Sequence, residues 1–225
     1  MRNINFRIYK KVDRIPWEII QRFENIPVAN IADQMNRKSC MDAEIKPYGR
    51  PRILGSAFTV KASMGDNLMF QKALDLAMPG DVIVVDGQKN MDNALCGDNM
   101  MTYAKLRGIA GVVLDGCIRD MESIKKMDYP VYARGVIPNG PYKNGPGEIN
   151  VPITCGNQVV CPGDIILGDA DGIIVIKASD AEEAYEKALK QLAIEKKVME
   201  DTLAGCLERT WVDKLLADKG CEIIE

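Results

Sequence analysis

The sequence predicts an α/β fold, because segments with strand character and segments with helix character alternate along its central part. Between residues 53 and 114 a strand pattern, a helix pattern and a buried strand follow one another, and the order then repeats. Beyond residue 130 the chain holds several short strand patterns separated by Gly, Pro and Asn. With 225 residues, of which 47% are hydrophobic, the chain is long enough for a single domain with terminal extensions.

The opening part of the chain is predicted to be helical. Ile15, Ile19 and Phe23 recur at helical spacing around Pro16, a residue that suits the first turn of a helix. A shorter copy of the pattern covers residues 28–35. We therefore expect residues 1–25 to form an N-terminal helical extension that precedes the main domain, residues 26–195.

Strands and helices of the main domain follow from the spacing of apolar residues. The pattern predicts strands over 53–62, 82–85 and 112–114, the last ending in Asp115-Gly116, and helices over 67–78 and 94–107. Further short strands are predicted over 131–134, 148–153, 158–160, 165–167 and 173–176. Residues 137–147 are rich in Pro and Gly, so they either form an exposed loop that folds over a site or are an ordinary connection.

The C-terminal part is predicted to be helical and amphipathic. One apolar face begins near Ala181, and Leu203, Leu207, Trp211 and Leu215 then recur every four residues in a later helix. This stripe either packs on the protein's own domain or contacts a neighbouring subunit. We expect residues 196–225 to form a C-terminal helical arm.

The absence of histidine excludes several classes of enzyme. Because the chain has no His, a Ser-His-Asp or Cys-His triad, a His-based zinc site and a haem with a proximal His are impossible within it. Acid-base chemistry must use carboxylates, Lys, Tyr, Cys or metal-bound water. Lys and Arg (29) nearly balance Asp and Glu (32), for a net charge of -3, so nucleic acid is not expected as a partner.

The sequence also predicts where the protein works. Its first residues carry charges where a secretory signal would need an apolar run, and no stretch of about 18 apolar residues occurs. The seven cysteines are odd in number and lack C-x-x-C spacing, which is typical of a reduced compartment. Two of them, Cys96 and Cys117, are expected to be buried thiols rather than redox groups. We expect a cytoplasmic protein that is not exported and does not span a membrane.

Two short segments carry the residues most suited to chemistry. Gly97-Asp98-Asn99-Met100 and Arg119-Asp120 are separated so that twenty residues lie between Asp98 and Arg119. An arginine can donate two parallel hydrogen bonds to a carboxylate, and an aspartate offers a hard oxygen to a hard cation. Free backbone N–H groups at a helix start also bind anions. These segments predict a site for a divalent metal and a small carboxylate substrate.

Each motif residue also has an ordinary structural interpretation. Asp98 is favourable at the N-terminus of a helix, Arg119 suits a surface salt bridge, and Asp120 suits a cap of the helix that follows it. The nearby Gly65-Asp66-Asn67 turn either contacts substrate across the cleft or begins the next helix. For this turn we favour the helix start, since Asp and Asn are preferred there.

In combination, a series of short phrases resembles one known family. The phrases are Gly65-Asp66-Asn67, Pro79 to Gly87, Ala94 to Asp98, Arg107 to Asp120, Pro130 to Gly135 and Pro162 to Val175. From about Ile26 to Ala188 the chain resembles the family of 4-hydroxy-4-methyl-2-oxoglutarate aldolases and the regulator of ribonuclease activity A. The resemblance implies an αββα sandwich of the swivelling β/β/α type, assembled as a trimer or hexamer with sites near subunit interfaces.

The same resemblance implies roles for the motif residues. Asp98 corresponds to a carboxylate that holds metal-bound water, Arg119 to the arginine that grips a 2-oxo acid carboxylate, and Asp120 to the direct protein ligand of Mg²⁺ or Mn²⁺. The loop Gly97 to Met100 corresponds to the segment whose backbone amides complete the substrate site. The regulator branch commonly replaces the aspartate after the arginine, so the presence of Asp120 favours an enzyme.

The expected activity is that of a divalent-metal-dependent (class II) lyase. It would cleave 4-hydroxy-2-oxo acids to pyruvate through a metal-stabilised enolate, without a Schiff-base lysine. Oxaloacetate decarboxylation passes through the same enolate and is expected as a side activity. Two alternatives stay open, namely a non-catalytic protein-binding regulator on the same scaffold and a metal-enolate dehydratase or epimerase of sugar-derived acids.

Overall fold

The computed structural model describes residues 3–224, which form eleven β-strands and seven α-helices. The strands are β1 (Phe6–Ile8), β2 (Lys46–Pro47), β3 (Ile53–Ala62), β4 (Asp81–Cys96), β5 (Gly111–Ile118), β6 (Val131–Val136), β7 (Gly147–Ile149), β8 (Ile153–Cys155), β9 (Gln158–Val160), β10 (Ile165–Asp169) and β11 (Gly172–Ile176). The helices are α1 (Trp17–Ile20), α2 (Val28–Gln34), α3 (Leu68–Leu76), α4 (Asp98–Leu106), α5 (Met121–Lys126), α6 (Ala181–Leu203) and α7 (Thr210–Asp218).

A mixed sheet organises the fold. Its strands lie in the order β1-β7-β3-β4-β5-β6-β2, in which β3, β4, β5 and β6 are parallel neighbours. The β10–β11 hairpin joins this sheet through antiparallel pairing of β10 with β3, and β8 pairs with β9 separately. Because parallel neighbours end at the same edge of a sheet, the segments that follow β4 and β5 are brought together.

Alternate side chains of the central strands pack on opposite faces. Ile83 and Val85 face α3, α4 and α5, whereas Val82 and Val84 pack with side chains of the β8–β9 and β10–β11 hairpins. The outer face of the β10–β11 hairpin packs against α1, α2 and the beginning of α6, where Phe23 is fully buried. The successive layers are therefore a first set of helices, the central strands, the hairpin strands and a second set of helices. The predicted α/β fold is confirmed.

Strand β4 differs most from the predicted pattern. It runs from Asp81 to Cys96, although its sequence predicts a strand only over 82–85 and a helix from Ala94. Gln88 and Lys89 adopt left-handed conformations, and the pairing of β4 with β5 shifts register along this stretch. The chain bulges through polar residues and returns to the sheet, so the helix begins only at Asp98. In the same way, β5 continues past Asp115-Gly116 to Ile118.

Both chain ends also depart from the predictions. The N-terminal segment, whose first two residues lie outside the described part, contains strand β1 paired with β7 in addition to α1. The stripe expected in one late helix is divided, since α6 ends at Leu203, Leu207 lies in a connection, and Trp211 and Leu215 belong to α7. The chain separates into one compact unit up to Ala188 and another from Leu189 onward. No helix within the described residues is long and apolar enough to cross a membrane.

Candidate active site

The motif residues lie at the adjacent ends of β4 and β5. Gly97 directly follows β4, while Arg119 and Asp120 directly follow β5. The backbone N–H of Arg119 donates to the carbonyl oxygen of Cys96 at 3.0 Å, which joins the two strand ends. The two predicted segments therefore meet in space.

Asp120 has an unusual backbone conformation. Its φ is 59°, in the left-handed region that non-glycine residues seldom occupy. Although Asp120 stands at the N-cap position of α5, its side chain caps no backbone group of that helix among the described residues. Its Oδ2 instead accepts a hydrogen bond from the backbone N–H of Asp98 at 3.2 Å. The carboxylate is thus turned from its own helix toward the start of α4.

Gly97 provides the space for this carboxylate. A Cβ atom on Gly97 would lie 2.1 Å from Oδ2 of Asp120 and 3.1 Å from Cγ of Arg119. The backbone of Gly97 is extended, with φ −147°, so glycine is required here for close approach and not for a left-handed turn.

The motif residues line a cavity of about 150 Å³. Its lining consists of residues from the ends of β4 and β5, from α3 and α4, and from the loop before β7, namely Asn67, Gln71, Leu95, Cys96, Gly97, Asn99, Met100, Arg119, Asp120, Pro141 and Lys143. The side chains of Arg119 and Asp120 are 47% and 39% exposed, and Arg119 Nε lies 3.7 Å from Asp120 Oδ2. That distance is too long for a hydrogen bond, so both groups keep capacity for a ligand.

Asp98 is the one predicted site residue that does not line this cavity. It is the half-buried first residue of α4, and Gly97 occupies the cap position instead. Gly97 has no side chain to cap this helix, and among the described N–H groups of the helix Asp120 binds only that of Asp98, so the backbone N–H groups of Asn99 and Met100 are available at the helix N-terminus.

Three polar residues of the lining lie outside the predicted set of site residues, although Asn67 belongs to the turn for which substrate contact is the less favoured alternative. Asn67 is 2% exposed, its Nδ2 donates to the carbonyl of Leu95 at 2.8 Å, and its Oδ1 has no hydrogen-bond partner among the described residues. Gln71 Nε2 donates to Sδ of Met100 at 3.2 Å. Lys143 comes from the loop before β7. The Gly65-Asp66-Asn67 phrase does begin α3, as favoured, but Asn67 faces the cavity as well.

Cys96 is a neutral thiol beside the site. Burial, and to a smaller extent the charge of Asp120, raises the pKa of Cys96 to about 12. Burial likewise raises the pKa of Cys117. The expectation that both residues are buried is confirmed. A thiolate nucleophile at this site is therefore disfavoured at neutral pH.

The side chains present suit a cation that keeps much of its hydration shell. Within residues 3–224, no group of three or more Cys, Asp or Glu side chains could hold a metal ion. Asp120 offers one accessible carboxylate at the cavity. Mg²⁺ typically binds one or two carboxylates together with waters and substrate oxygens. The donor set fits such an ion and does not fit a cage made only of protein ligands.

The fold and site define a class of α/β protein in which an arginine and an aspartate at one strand end face a small cavity. A family model described as "RraA-like: Aldolase/RraA" matches residues 28–175, and the chain belongs to this family. It is 41% identical over 177 residues, 78% of this chain and 84% of the relative, to a protein of Halalkalibacterium halodurans named "Putative 4-hydroxy-4-methyl-2-oxoglutarate aldolase".

One solved structure supports the same assignment, and a second shares the fold. The RNA-processing inhibitor RraA from Thermus thermophilis is 30% identical with a TM-score of 0.62, and the match covers 67% of this chain and 92% of that one. An uncharacterized protein from Pseudomonas syringae pv. tomato, 24% identical, shares the fold with a TM-score of 0.78 over 87% of this chain and 92% of its own. The resemblance drawn from the sequence phrases is confirmed.

Proposed function

We propose that the protein is a divalent-metal-dependent lyase that cleaves 4-hydroxy-2-oxo acids to pyruvate and a carbonyl fragment. The observation that carries this proposal is the placement of Arg119 and Asp120 on one cavity, beside a glycine whose missing side chain admits the carboxylate. Membership of the Aldolase/RraA family and the name of the 41% identical relative support the same chemistry. Because oxaloacetate decarboxylation also forms pyruvate enolate, it is expected as a side activity.

Arg119 binds and orients the substrate. Its exposed guanidinium donates two parallel hydrogen bonds to the carboxylate of the 2-oxo acid. Asn99 and Met100 line the same cavity, and their backbone N–H groups at the start of α4 stabilise negative charge on a substrate oxygen. The planar arginine fork thereby fixes the direction of the bond that breaks.

Asp120 would hold the cation, Mg²⁺ or Mn²⁺. When bound, such a cation polarises the 2-oxo group and stabilises the enolate oxygen.

Asp98 moves the proton. As the C3–C4 bond breaks, the 4-hydroxyl loses its proton through a water to Asp98 and becomes the C4 carbonyl, the bonding electrons pass to the enolate, and protonated Asp98 returns the proton through water to C3 of pyruvate. Water is part of this step because Asp98 adjoins Asp120 but lies outside the cavity lining.

A pyruvate-release assay over a panel of 4-hydroxy-2-oxo acids tests the proposal. We expect release only with Mg²⁺ or Mn²⁺, and loss of release in Asp120→Asn. The matched control is Asp75→Asn, which changes an exposed carboxylate on α3 that contacts Lys72 at 3.1 Å and should keep full activity. Full turnover in excess chelator would contradict metal dependence.

A second candidate function is a protein-binding regulator on the same scaffold. It is favoured by the 30% identical structure named as an RNA-processing inhibitor. The assay separates the two candidates, because a regulator would release no pyruvate from any substrate in the panel with or without metal.

A further inference from the structure

The loop between β6 and β7, residues 137–146, forms one wall of the candidate cavity. Pro141 and Lys143 line the cavity, and a Cβ atom on Gly140 would lie 3.3 Å from Nη1 of Arg119. Most residues of this loop are exposed, so burial of apolar surface contributes little to holding it in place. Its position must depend largely on hydrogen bonds.

Asp66 accepts three backbone hydrogen bonds, two of which come from this loop. Its Oδ2 accepts the backbone N–H groups of Asn144 and Gly145, the latter at 3.0 Å. Its Oδ1 accepts the backbone N–H of Leu68, at the start of α3, at 2.9 Å. Asp66 is only 4% exposed. One buried carboxylate thus connects the loop to the first turn of a helix that also lines the cavity.

Backbone hydrogen bonds align the same two segments. The N–H of Tyr142 donates to the carbonyl of Gly65 at 2.8 Å, and the N–H of Asn67 donates to the carbonyl of Tyr142 at 3.0 Å. Asn67 is the cavity residue that directly follows Asp66. The Asp66 carboxylate therefore lies where the loop and α3 meet beside the cavity.

We propose that Asp66 is a positioning residue of the active site, whose buried carboxylate holds the 137–146 loop against the cavity. Its effect on catalysis rests on the proposed function, whereas its effect on the loop does not. Hydrogen bonds from backbone N–H groups to a carboxylate are roughly twice as strong as neutral ones. An alanine accepts none of the three, and an asparagine has one acceptor oxygen and places an NH₂ group against at least one N–H.

Hydrogen exchange of the loop amides tests this proposal without any need for activity. In Asp66→Ala, the amides of Asn144 and Gly145 should exchange about tenfold faster or more than in the wild-type protein. Asp66→Asn keeps the side-chain shape and should increase the exchange rate of these amides by an intermediate amount. It serves as the test variant if the alanine variant does not fold. If the loop amides exchange at the wild-type rate in both variants, the proposal is overturned. If the alanine variant does not fold, a wild-type rate in the asparagine variant overturns it.

The matched control is Asp164→Ala. Asp164 is similarly buried, at 5% exposure, and accepts the backbone N–H of Cys161 at 2.8 Å in a turn that does not line the cavity. Its replacement should leave exchange of the 137–146 amides unchanged. Equal acceleration in the control would show that Asp66 acts only through global stability, and would also overturn the proposal.

Steady-state pyruvate release with Mg²⁺ adds the functional measurement. Asp66→Asn should raise KM for the 2-oxo acid about tenfold while kcat changes less than about threefold, because Asp98 and Asp120 are not on the loop. Faster loop exchange with an unchanged KM would overturn the assignment as a positioning residue. If the wild-type protein releases no pyruvate, the proposed function fails, and the exchange experiment still decides whether Asp66 holds the loop.

Discussion

Gly97 and Asp120 constrain one another at the level of single residues. The carboxylate of Asp120 lies within the space that a side chain on Gly97 would fill. Asp120 keeps a left-handed backbone, which costs about 1–3 kcal/mol and persists only where surrounding contacts enforce it. Strained residues cluster at functional sites, and this observation supports our proposal that Asp120 binds the metal.

Gly97→Ala should inactivate the protein without unfolding it. The new Cβ would force Oδ2 of Asp120 away from its present position 2.1 Å distant, and misplacement of a catalytic group by about 1 Å can cost on the order of a hundredfold in rate. The measurement is kcat/KM for pyruvate release as a function of Mg²⁺ concentration. Gly116→Ala is the control, because its Cβ would meet nothing closer than the Asn90 carbonyl oxygen at 3.4 Å. Wild-type kinetics in Gly97→Ala would refute the spatial requirement.

Arg119→Lys should be nearly as damaging as Arg119→Ala. A lysine keeps the positive charge but loses the planar pair of donors that orients a carboxylate, so we expect a loss of roughly a hundredfold in kcat/KM for both variants. Steady-state kinetics of the two variants side by side measures this. A lysine variant as active as wild type would make Arg119 an ordinary surface charge.

At the level of elements, the position of Asp98 at the beginning of α4 allows its structural and catalytic roles to be distinguished. Because Gly97 occupies the cap position, the side chain of Asp98 is not needed to cap this helix. Asp98→Asn should therefore leave the fold intact but lower kcat by roughly a hundredfold, since an amide cannot act as a base. Pyruvate release from a 4-hydroxy-2-oxo acid measures kcat, and calorimetry with pyruvate checks that affinity is little changed. An unchanged kcat would leave Asp98 with only a structural role.

The sequence predicts those elements whose structure depends on the local pattern of residues. It predicts less well the contacts between segments that are distant in the chain. The apolar runs of β3, β4 and β5 predict a buried α/β sheet, and the motif at their ends predicts Gly97, Arg119 and Asp120 as neighbours. The bulge at Gln88 and Lys89, whose backbones are left-handed, cannot be predicted from the local sequence. Polar residues at these positions would equally suit an ordinary turn. The position of Lys143 is equally hard to predict, since the neighbouring Asn144 donates its backbone N–H to Asp66, 78 positions earlier in the chain.

At the level of the whole molecule, the buried thiols make stability depend on pH. Burial raises the pKa of Cys96 to about 12 and also raises that of Cys155, from an ordinary value of 9.0. Above that ordinary value the unfolded chain loses thiol protons that the folded chain retains, so the free energy of unfolding falls as pH rises. Each such thiol contributes a loss of up to about 1.4 kcal/mol per pH unit in this range.

Urea unfolding at about pH 7.5 and about pH 10 measures this dependence. Cys96→Ala should unfold at lower urea at both pH values because it leaves a cavity. Its further loss of stability between the two pH values should nevertheless be smaller than that of the wild-type protein. An equal loss in both proteins would mean that Cys96 does not contribute.

Assembly is the remaining property of the whole molecule. The second compact unit exposes large apolar residues, among them Leu203, Trp211 and Leu215. The trimer or hexamer implied by the family resemblance stays a prediction, and sedimentation velocity on the full chain would measure it.

The most direct test of the proposed chemistry is pyruvate release from a 4-hydroxy-2-oxo acid by the wild-type protein and by Asp120→Asn, each with Mg²⁺ and with excess chelator. We predict release by the wild-type protein with Mg²⁺ and none under the other three conditions. Among residues 3–224, Asp120 is the single carboxylate that lines the cavity, so its amide variant should lose the cation while keeping the shape of the site. Equal release by the wild-type protein and Asp120→Asn, or release that chelator does not affect, would contradict a metal-dependent lyase centred on Asp120.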